Sequence, residues 1–180
     1  MKILVIIPAK LDSTRLKNKN IQEINGRPMV EYSIDYAKSS KYNPTIVVSS
    51  ESPEVRDIAI NNNVLWVNRP EHLLKDAEVT DVYIDLCSTI EDGTYDLVVA
   101  LQPDNPDRDH TFDSCVDYMM ENNYDDLITI NPNWKRSGSV RIFKFDYLKR
   151  GMVSKRIGCL RDSATDIHYQ EDLNKVINKI

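Results

Sequence analysis

The run Ile3-Leu4-Val5-Ile6-Ile7 constrains this chain more than any other stretch of its sequence. Five consecutive aliphatic residues are apolar on both alternations of a strand. They read as a strand buried on both faces, as in the middle of a parallel sheet. Pro8 ends the run, because proline has no N–H to give to a ladder. A polar loop follows, K-L-D-S-T-R-L-K-N-K-N at 10–20. It carries Lys10, Arg15, Lys17 and Lys19, with hydroxyls at Ser13 and Thr14. In open α/β sheets, ligands sit outside the carboxyl ends of the strands. Cations gathered there want an anion, and a polyphosphate is the natural candidate. A solvated basic loop is the alternative.

The rest of the chain alternates in the same style. Strands are expected at 45–49, 64–67, 95–101 and 127–130, with another over S-V-R-I-F-K. Between them run helical patterns. Asn-Gly at 25–26 predicts a turn, with Pro28 at the first helical position before Val30, Ile34 and Ala37. Ser52 with Pro53 behind it predicts an N-cap, followed by a buried stripe of Val55, Ile58 and Ala59. A helix is expected at 78–90, burying Val79, Val82, Tyr83, Leu86 and Ile90. Another carries Phe112, Cys115, Val116, Met119 and Met120, capped by Asp109 or Thr111. The last buries Val176, Ile177 and Ile180. Alternating strand and helix imply an α/β sheet sandwiched by helices.

At 180 residues, one domain spanning 1–180 is expected, long enough for a real core. A net charge of −5 argues against a nucleic-acid or anionic-membrane partner. No apolar run approaches the ~20 residues a bilayer requires. The start lacks the cationic region and cleavage site of a signal peptide, so a cytoplasmic location is expected. Cys87, Cys115 and Cys159 match no zinc pattern and read as reduced, mostly buried thiols. With 5 glycines and no G-x-G-x-x-G after Ile7, a generic dinucleotide binder is disfavoured.

The phrase I-P-A-K-L-D-S-T-R-L-K-N-K-N resembles the opening signature of the CTP-dependent sugar-acid cytidylyltransferases, the CMP-sialic acid and CMP-KDO synthetases. Ser13, Arg15, Lys19 and Asn20 fall on that pattern without a gap. Lys10 stands where the family usually has Arg, and Leu11-Asp12 replaces a frequent Gly-Gly pair; Asn18 is left to supply a residue with positive φ. N-G-R-P-M-V-E-Y-S-I is similar to a G-K-P-L-I-x-Y-x-I phrase of nucleotidyltransferases, with Arg27 in the Lys position. R-P-E-H-L-L-K-D resembles R-P-x-x-L-x-x-D, in which the Arg and a Ser or Thr eleven positions on lie against the cytosine nucleotide; Arg69 and Thr80 match. L-Q-P-D-N-P-D-R resembles L-Q-P-T-S-P-L-R of one branch, and its Asp104 resembles the magnesium-binding Asp in Q-G-D-E-P of the other. Asp104 also lies too far ahead of the next helix to cap it. S-A-T-D-I-H-Y-Q-E-D-L resembles the closing metal motif D-I-D-T-E-E-D-L, with Asp166 on the first Asp and His168 on the second.

The resemblance implies a three-layer αβα, Rossmann-like nucleotide-diphospho-sugar transferase fold with a mixed, mostly parallel sheet. It implies transfer of CMP from CTP to an acidic acceptor, an acylneuraminate-like or related 2-keto sugar acid, with release of pyrophosphate. Arg15 and Lys19 are then the catalytic cations on the phosphates. Pro8, Ala9, Lys10, Ser13, Asn20, Arg69 and Thr80 join them in binding nucleotide. Gln102 and Arg108 face the acceptor, and Asp104 and Asp166 hold Mg2+. Larger relatives build a hairpin, dimer contacts and part of the acceptor pocket from the region that is shorter here, between 131 and 157. Acceptor identity, a phosphonate included, and the family's homodimer therefore stay open, as does a non-catalytic nucleotide-binding relative.

Overall fold

The apolar run becomes β1 (Ile3–Pro8), buried at all six positions. The computed structural model describes residues 1–75, 77–152 and 154–180. After the cationic loop, β2 (Glu23–Ile24) and β3 (Arg27–Pro28) form a small hairpin. Its turn residues Asn25 and Gly26 both have positive φ, 51° and 76°, the geometry that two-residue hairpins favour. This hairpin corrects the expectation for Pro28. It is extended, at ψ 136°, and sits just ahead of α1 (Met29–Lys38) rather than on its first turn.

The chain continues through β4 (Thr45–Ser50), α2 (Pro53–Asn61), β5 (Leu65–Asn68) and α3 (Val79–Ser88). It closes with β6 (Leu97–Ala100), α4 (Phe112–Glu121), β7 (Asp126–Ile130), β8 (Arg136–Lys144), α5 (Phe145–Lys149), β9 (Ile157–Arg161) and α6 (Gln170–Ile177). Ser52 caps α2, accepting from the N–H groups of Glu54 and Val55, and Thr111 caps α4 through the N–H of Ser114.

Seven strands form one sheet in the order β5-β4-β1-β6-β8-β7-β9. β1 pairs parallel with β4 on one side and β6 on the other. β8 is antiparallel to both β6 and β7, while β9 is parallel to β7. The sheet is thus mixed and mostly parallel, as expected. Alternation along β1 divides the core. Ile3, Val5 and Ile7 pack with residues of α1, α2 and α4, and Leu4 and Ile6 with Tyr83 and Cys87 of α3 and Phe145 and Leu148 of α5. Helices on both faces make the three layers.

Because the chain leaves β1 for β4 on one side and reaches β6 on the other, the carboxyl end of β1 is a switch point, where a crevice opens. Two expectations fail at helix ends. Met120 and Ile180 are 48% and 43% exposed, since Met119 takes the inward position of α4 and the final helix stops before Ile180. Cys87 and Cys115 are buried, whereas Cys159 is exposed. Among the described residues, no helix is long and apolar enough to cross a membrane.

Candidate active site

A cleft of about 650 Å³ opens over the carboxyl ends of β1 and β6. Pro8, Lys10, Ser13, Arg15, Lys19, Asn20, Arg69, Gln102 and Asp104 all line it. Among the described residues, its charge comes from five cations, the four named here and Lys75, against the carboxylates of Asp12 and Asp104. Sequence reading overlooked Lys75, which directly follows the R-P-E-H-L-L phrase.

The loop after β1 is held in shape by its own side chains. Asn20, itself buried, donates through Nδ2 to the carbonyl of Lys10 at 2.7 Å. Asn18 adopts the left-handed conformation at φ 52°, as expected of a residue replacing lost glycine freedom. The N–H of Leu11 donates to Glu51 Oε1 at 2.8 Å, and Lys10 Nζ donates to the carbonyl of Leu74 at 2.9 Å. Ala9 lies beneath the floor, fully buried, with its N–H on the carbonyl of Ser49 at 2.9 Å. Arg15 is exposed and has its guanidinium 6.0 Å from the Tyr169 ring centroid.

Arg69 is 5% exposed and donates to the carbonyl of Ser49 at 3.0 Å, so its guanidinium edges the cleft from a fixed position. Gln102 packs on the bare backbone of Gly138 in β8. A Cβ on Gly138 would stand 2.5 Å from Gln102 Cδ.

At Asp104 three potential cation ligands come together. Asp104 is 7% exposed; its Oδ2 accepts from Lys19 Nζ at 2.5 Å, and its Oδ1 is buried with no partner among the described residues. Asp166 arrives on the segment after β9. His168 places Nε2 3.0 Å from Asp166 Oδ2. Ligand atoms of Asp104, Asp166 and His168 lie within 4.8 Å of one another. Burial and the charge of Asp104 push the Asp166 carboxyl above its ordinary value; His168, Lys19 and Arg15 oppose the shift. Burial, then Asp104, also raises the Tyr83 hydroxyl beneath the site.

The segment carrying Asp166 is fastened to the loop after β6. The N–H of Ile167 donates to the carbonyl of Asp104 at 2.9 Å. Asp107 accepts from the N–H and hydroxyl of Thr165, at 2.7 and 2.9 Å, and from Lys179 Nζ at 2.7 Å. Asp109 accepts from the N–H of Ser163 rather than capping α4. Sequence reading missed Asp107, because its partners lie 58 and 72 residues away.

Two expected site residues stand elsewhere. Thr80 lines a separate cleft with Asp126, Arg141 and Phe143. Val79 and Val82 face the main cleft, and a helix turns about 100° per residue, which carries Thr80 away from them. Arg108 donates to the carbonyls of Gln102 and Ser139, at 2.7 and 2.8 Å, and to Ser33 Oγ at 3.1 Å. It thereby braces β8 and α1 behind Gln102. The Asp of the R-P-x-x-L-x-x-D phrase, Asp76, lies outside the described residues.

This chain has relatives of known type. A CMP-N,N'-diacetyllegionaminic acid synthase of Legionella pneumophila is 33% identical over 112 residues, 60% of this chain and 48% of that protein. A 3-deoxy-manno-octulosonate cytidylyltransferase of Brucella ovis is 31% identical over 109 residues, 61% of this chain and 42% of that protein. The chain thus spans less than half the length of either relative. Among solved structures, a CMP:2-keto-3-deoxy-manno-octonic acid synthetase complexed with CTP superposes with a TM-score of 0.79 at 15% identity, covering 99% of this chain and 98% of that one. It shares the fold. The family model for cytidylyltransferases matches residues 4–172, from β1 through the Asp166 segment into α6, and the chain therefore belongs to the cytidylyltransferase family.

Proposed function

We propose that this chain transfers CMP from CTP to an acidic acceptor, a sugar acid of the 2-keto class, and releases pyrophosphate. One observation carries the reading: a cluster of cations on the loop after β1 shares a single cleft with Asp104, and Asp166 brings a carboxylate oxygen within 4.8 Å of one on Asp104. That arrangement suits a polyanion whose charge needs both cationic side chains and a bound cation.

In this reading Arg15 and Lys19 hold the β- and γ-phosphates, with Lys10, Ser13 and the backbone of Pro8 and Ala9 beside them. Arg69 flanks the nucleotide and Gln102 the acceptor. Arg108 acts by holding Gln102 in place, and Thr80 has no part, since it lines another cleft. An acceptor oxygen attacks the α-phosphorus in line. The new P–O bond forms as the bond to the bridging oxygen breaks, and the electron pair leaves with pyrophosphate. Charge grows on that leaving group, where Arg15 and Lys19 meet it; the acceptor's hydroxyl proton passes to water. The protein's work is positioning and charge stabilisation rather than covalent catalysis.

Magnesium belongs to the same proposal. The buried, unpartnered Oδ1 of Asp104 beside the Asp166 carboxylate fits a hard cation with oxygen ligands. Bound there by Asp104 and Asp166, it would lower the acceptor's pKa and neutralise phosphate charge. A homodimer, as the family resemblance implies, and a cytoplasmic location are further parts of this proposal.

A phosphonate acceptor is the second reading, kept by one observation. β7 and β8 are joined by a five-residue turn, 131–135, and among the described residues none from 131–157 lines the cleft. The test is a pyrophosphate-release screen with CTP, magnesium and a panel of 2-keto sugar acids and phosphonates. Release with a sugar acid supports the first reading. Release with phosphonates alone moves the acceptor, and release with none sinks the catalytic reading.

A further inference from the structure

The feature that the proposed reaction leaves unused is His168. Its Nε2 sits 3.0 Å from Asp166 Oδ2, and its Nδ1 is buried without a partner among the described residues. An ordinary His–Asp hydrogen bond accounts for the first contact alone. The placement of the whole trio goes further. Two cis ligands of an octahedral cation with bonds of about 2.1 Å stand about 3.0 Å apart. The imidazole nitrogen and the Asp166 oxygen already have that separation. Asp104 offers the third position, because Lys19 occupies Oδ2 and leaves Oδ1 free.

The backbone holds the three donors in this relation. The N–H of Ile167 is bonded to the carbonyl of Asp104. The N–H groups of His168 and Tyr169 both donate to Asp172 Oδ2 at 3.1 Å, at the start of α6. His168 is therefore anchored on each side of its own side chain, toward Asp104 through Ile167 and toward α6 through Asp172.

We propose that His168 is a ligand of the divalent cation, completing a centre of two carboxylates and one imidazole. The inference rests on the metal reading above and deepens it. Carboxylates suit magnesium and manganese alike, whereas an imidazole nitrogen favours first-row transition ions over magnesium. The centre thus selects a borderline cation of the manganese type over the harder one.

The probe is Mn2+ alone, titrated into the purified chain and followed by electron paramagnetic resonance, with pulsed detection of nitrogen coupling. Wild type is expected to bind Mn2+ with a directly coupled 14N. His168→Ala should lose that coupling and bind Mn2+ about tenfold more weakly, with magnesium affinity from competition little changed. His168→Asp should bind without the coupling and prefer manganese over magnesium by a smaller ratio than wild type. Bound Mn2+ without nitrogen coupling in wild type would overturn the His168 assignment and leave the carboxylate metal site standing. A coupling that persists in His168→Ala would overturn it equally. No Mn2+ binding by wild type would overturn both this inference and the metal reading beneath it.

Discussion

Lys19 Nζ lies 2.5 Å from Asp104 Oδ2, and both side chains are nearly covered, at 13% and 11% exposure. This one ion pair ties the loop leaving β1 to the loop leaving β6 across the floor of the cleft. Removing the cation strands a covered carboxylate, the costly way to break such a pair. Lys19→Ala should still fold, about 3 kcal/mol less stable by urea titration. Pyrophosphate release should fall by about 10²–10³, the scale of losing one charge-stabilising group. Near-wild-type turnover would remove Lys19 from the proposed chemistry.

Asp107 fixes the Asp166 segment from below. It is 7% exposed and accepts three hydrogen bonds, two from Thr165 and one from Lys179. Asp107→Ala leaves the Thr165 N–H and hydroxyl without partners, at about 2 kcal/mol of stability. Limited proteolysis should then cut within 162–168 faster than in wild type. Unchanged cutting would mean that the Ile167 N–H on the Asp104 carbonyl and Asn105 Nδ2, which donates to the Thr165 carbonyl at 3.2 Å, anchor the segment without Asp107.

Gly138 keeps space for Gln102. Adding a methyl group places a Cβ 2.5 Å from Gln102 Cδ, so the glutamine must swing away. Overpacking of this kind typically costs 1–3 kcal/mol. If Gln102 meets the acceptor, Gly138→Ala should raise the acceptor KM about tenfold while CTP affinity holds, because about 1.4 kcal/mol is a factor of ten. An equal loss for both substrates would put Gln102 elsewhere in the cleft.

Acid stability should depend on Asp125. Its carboxylate is 2% exposed and bonded to Lys144 at 2.8 Å and Arg156 at 3.0 Å. Arg156 first, then Lys144, lowers it to about 2 from an ordinary 3.8. A carboxyl held lower in the folded state than in the unfolded one stabilises the fold above the unfolded value. That contribution is lost as pH falls from about 4 through about 2. Unfolding free energy followed across this range should drop more steeply in wild type than in Asp125→Asn. Parallel curves would contradict the assignment.

Much of this molecule was legible in its sequence, for local reasons. Ile3 to Ile7 gave the central strand because apolarity on both alternations has one common structural meaning. Ser52 gave a helix start, and Thr111 is one of two candidate caps for another, because a cap is decided within three residues. The loop cations were legible because a strand end fixes where a following loop opens. What stayed hidden is set by distant partners. Arg108 is expected to face the acceptor, yet Ser33 and Ser139 take its guanidinium. Thr80 sits one residue from a cleft-facing valine yet looks into another cleft. Pro28 has the right composition for a helix start, but the Asn25-Gly26 turn pulls it into a hairpin.

The most direct measurement is calorimetry of the purified chain with each of the four ribonucleoside triphosphates, with magnesium present, and with CTP again in its absence. Selective binding of CTP that weakens strongly without magnesium is the expected result. It would join the cationic loop, Asp104 and Asp166 in one nucleotide site. Tight binding of another triphosphate in preference to CTP would discard the cytosine assignment at Arg69. Binding of none would contradict the proposed function itself.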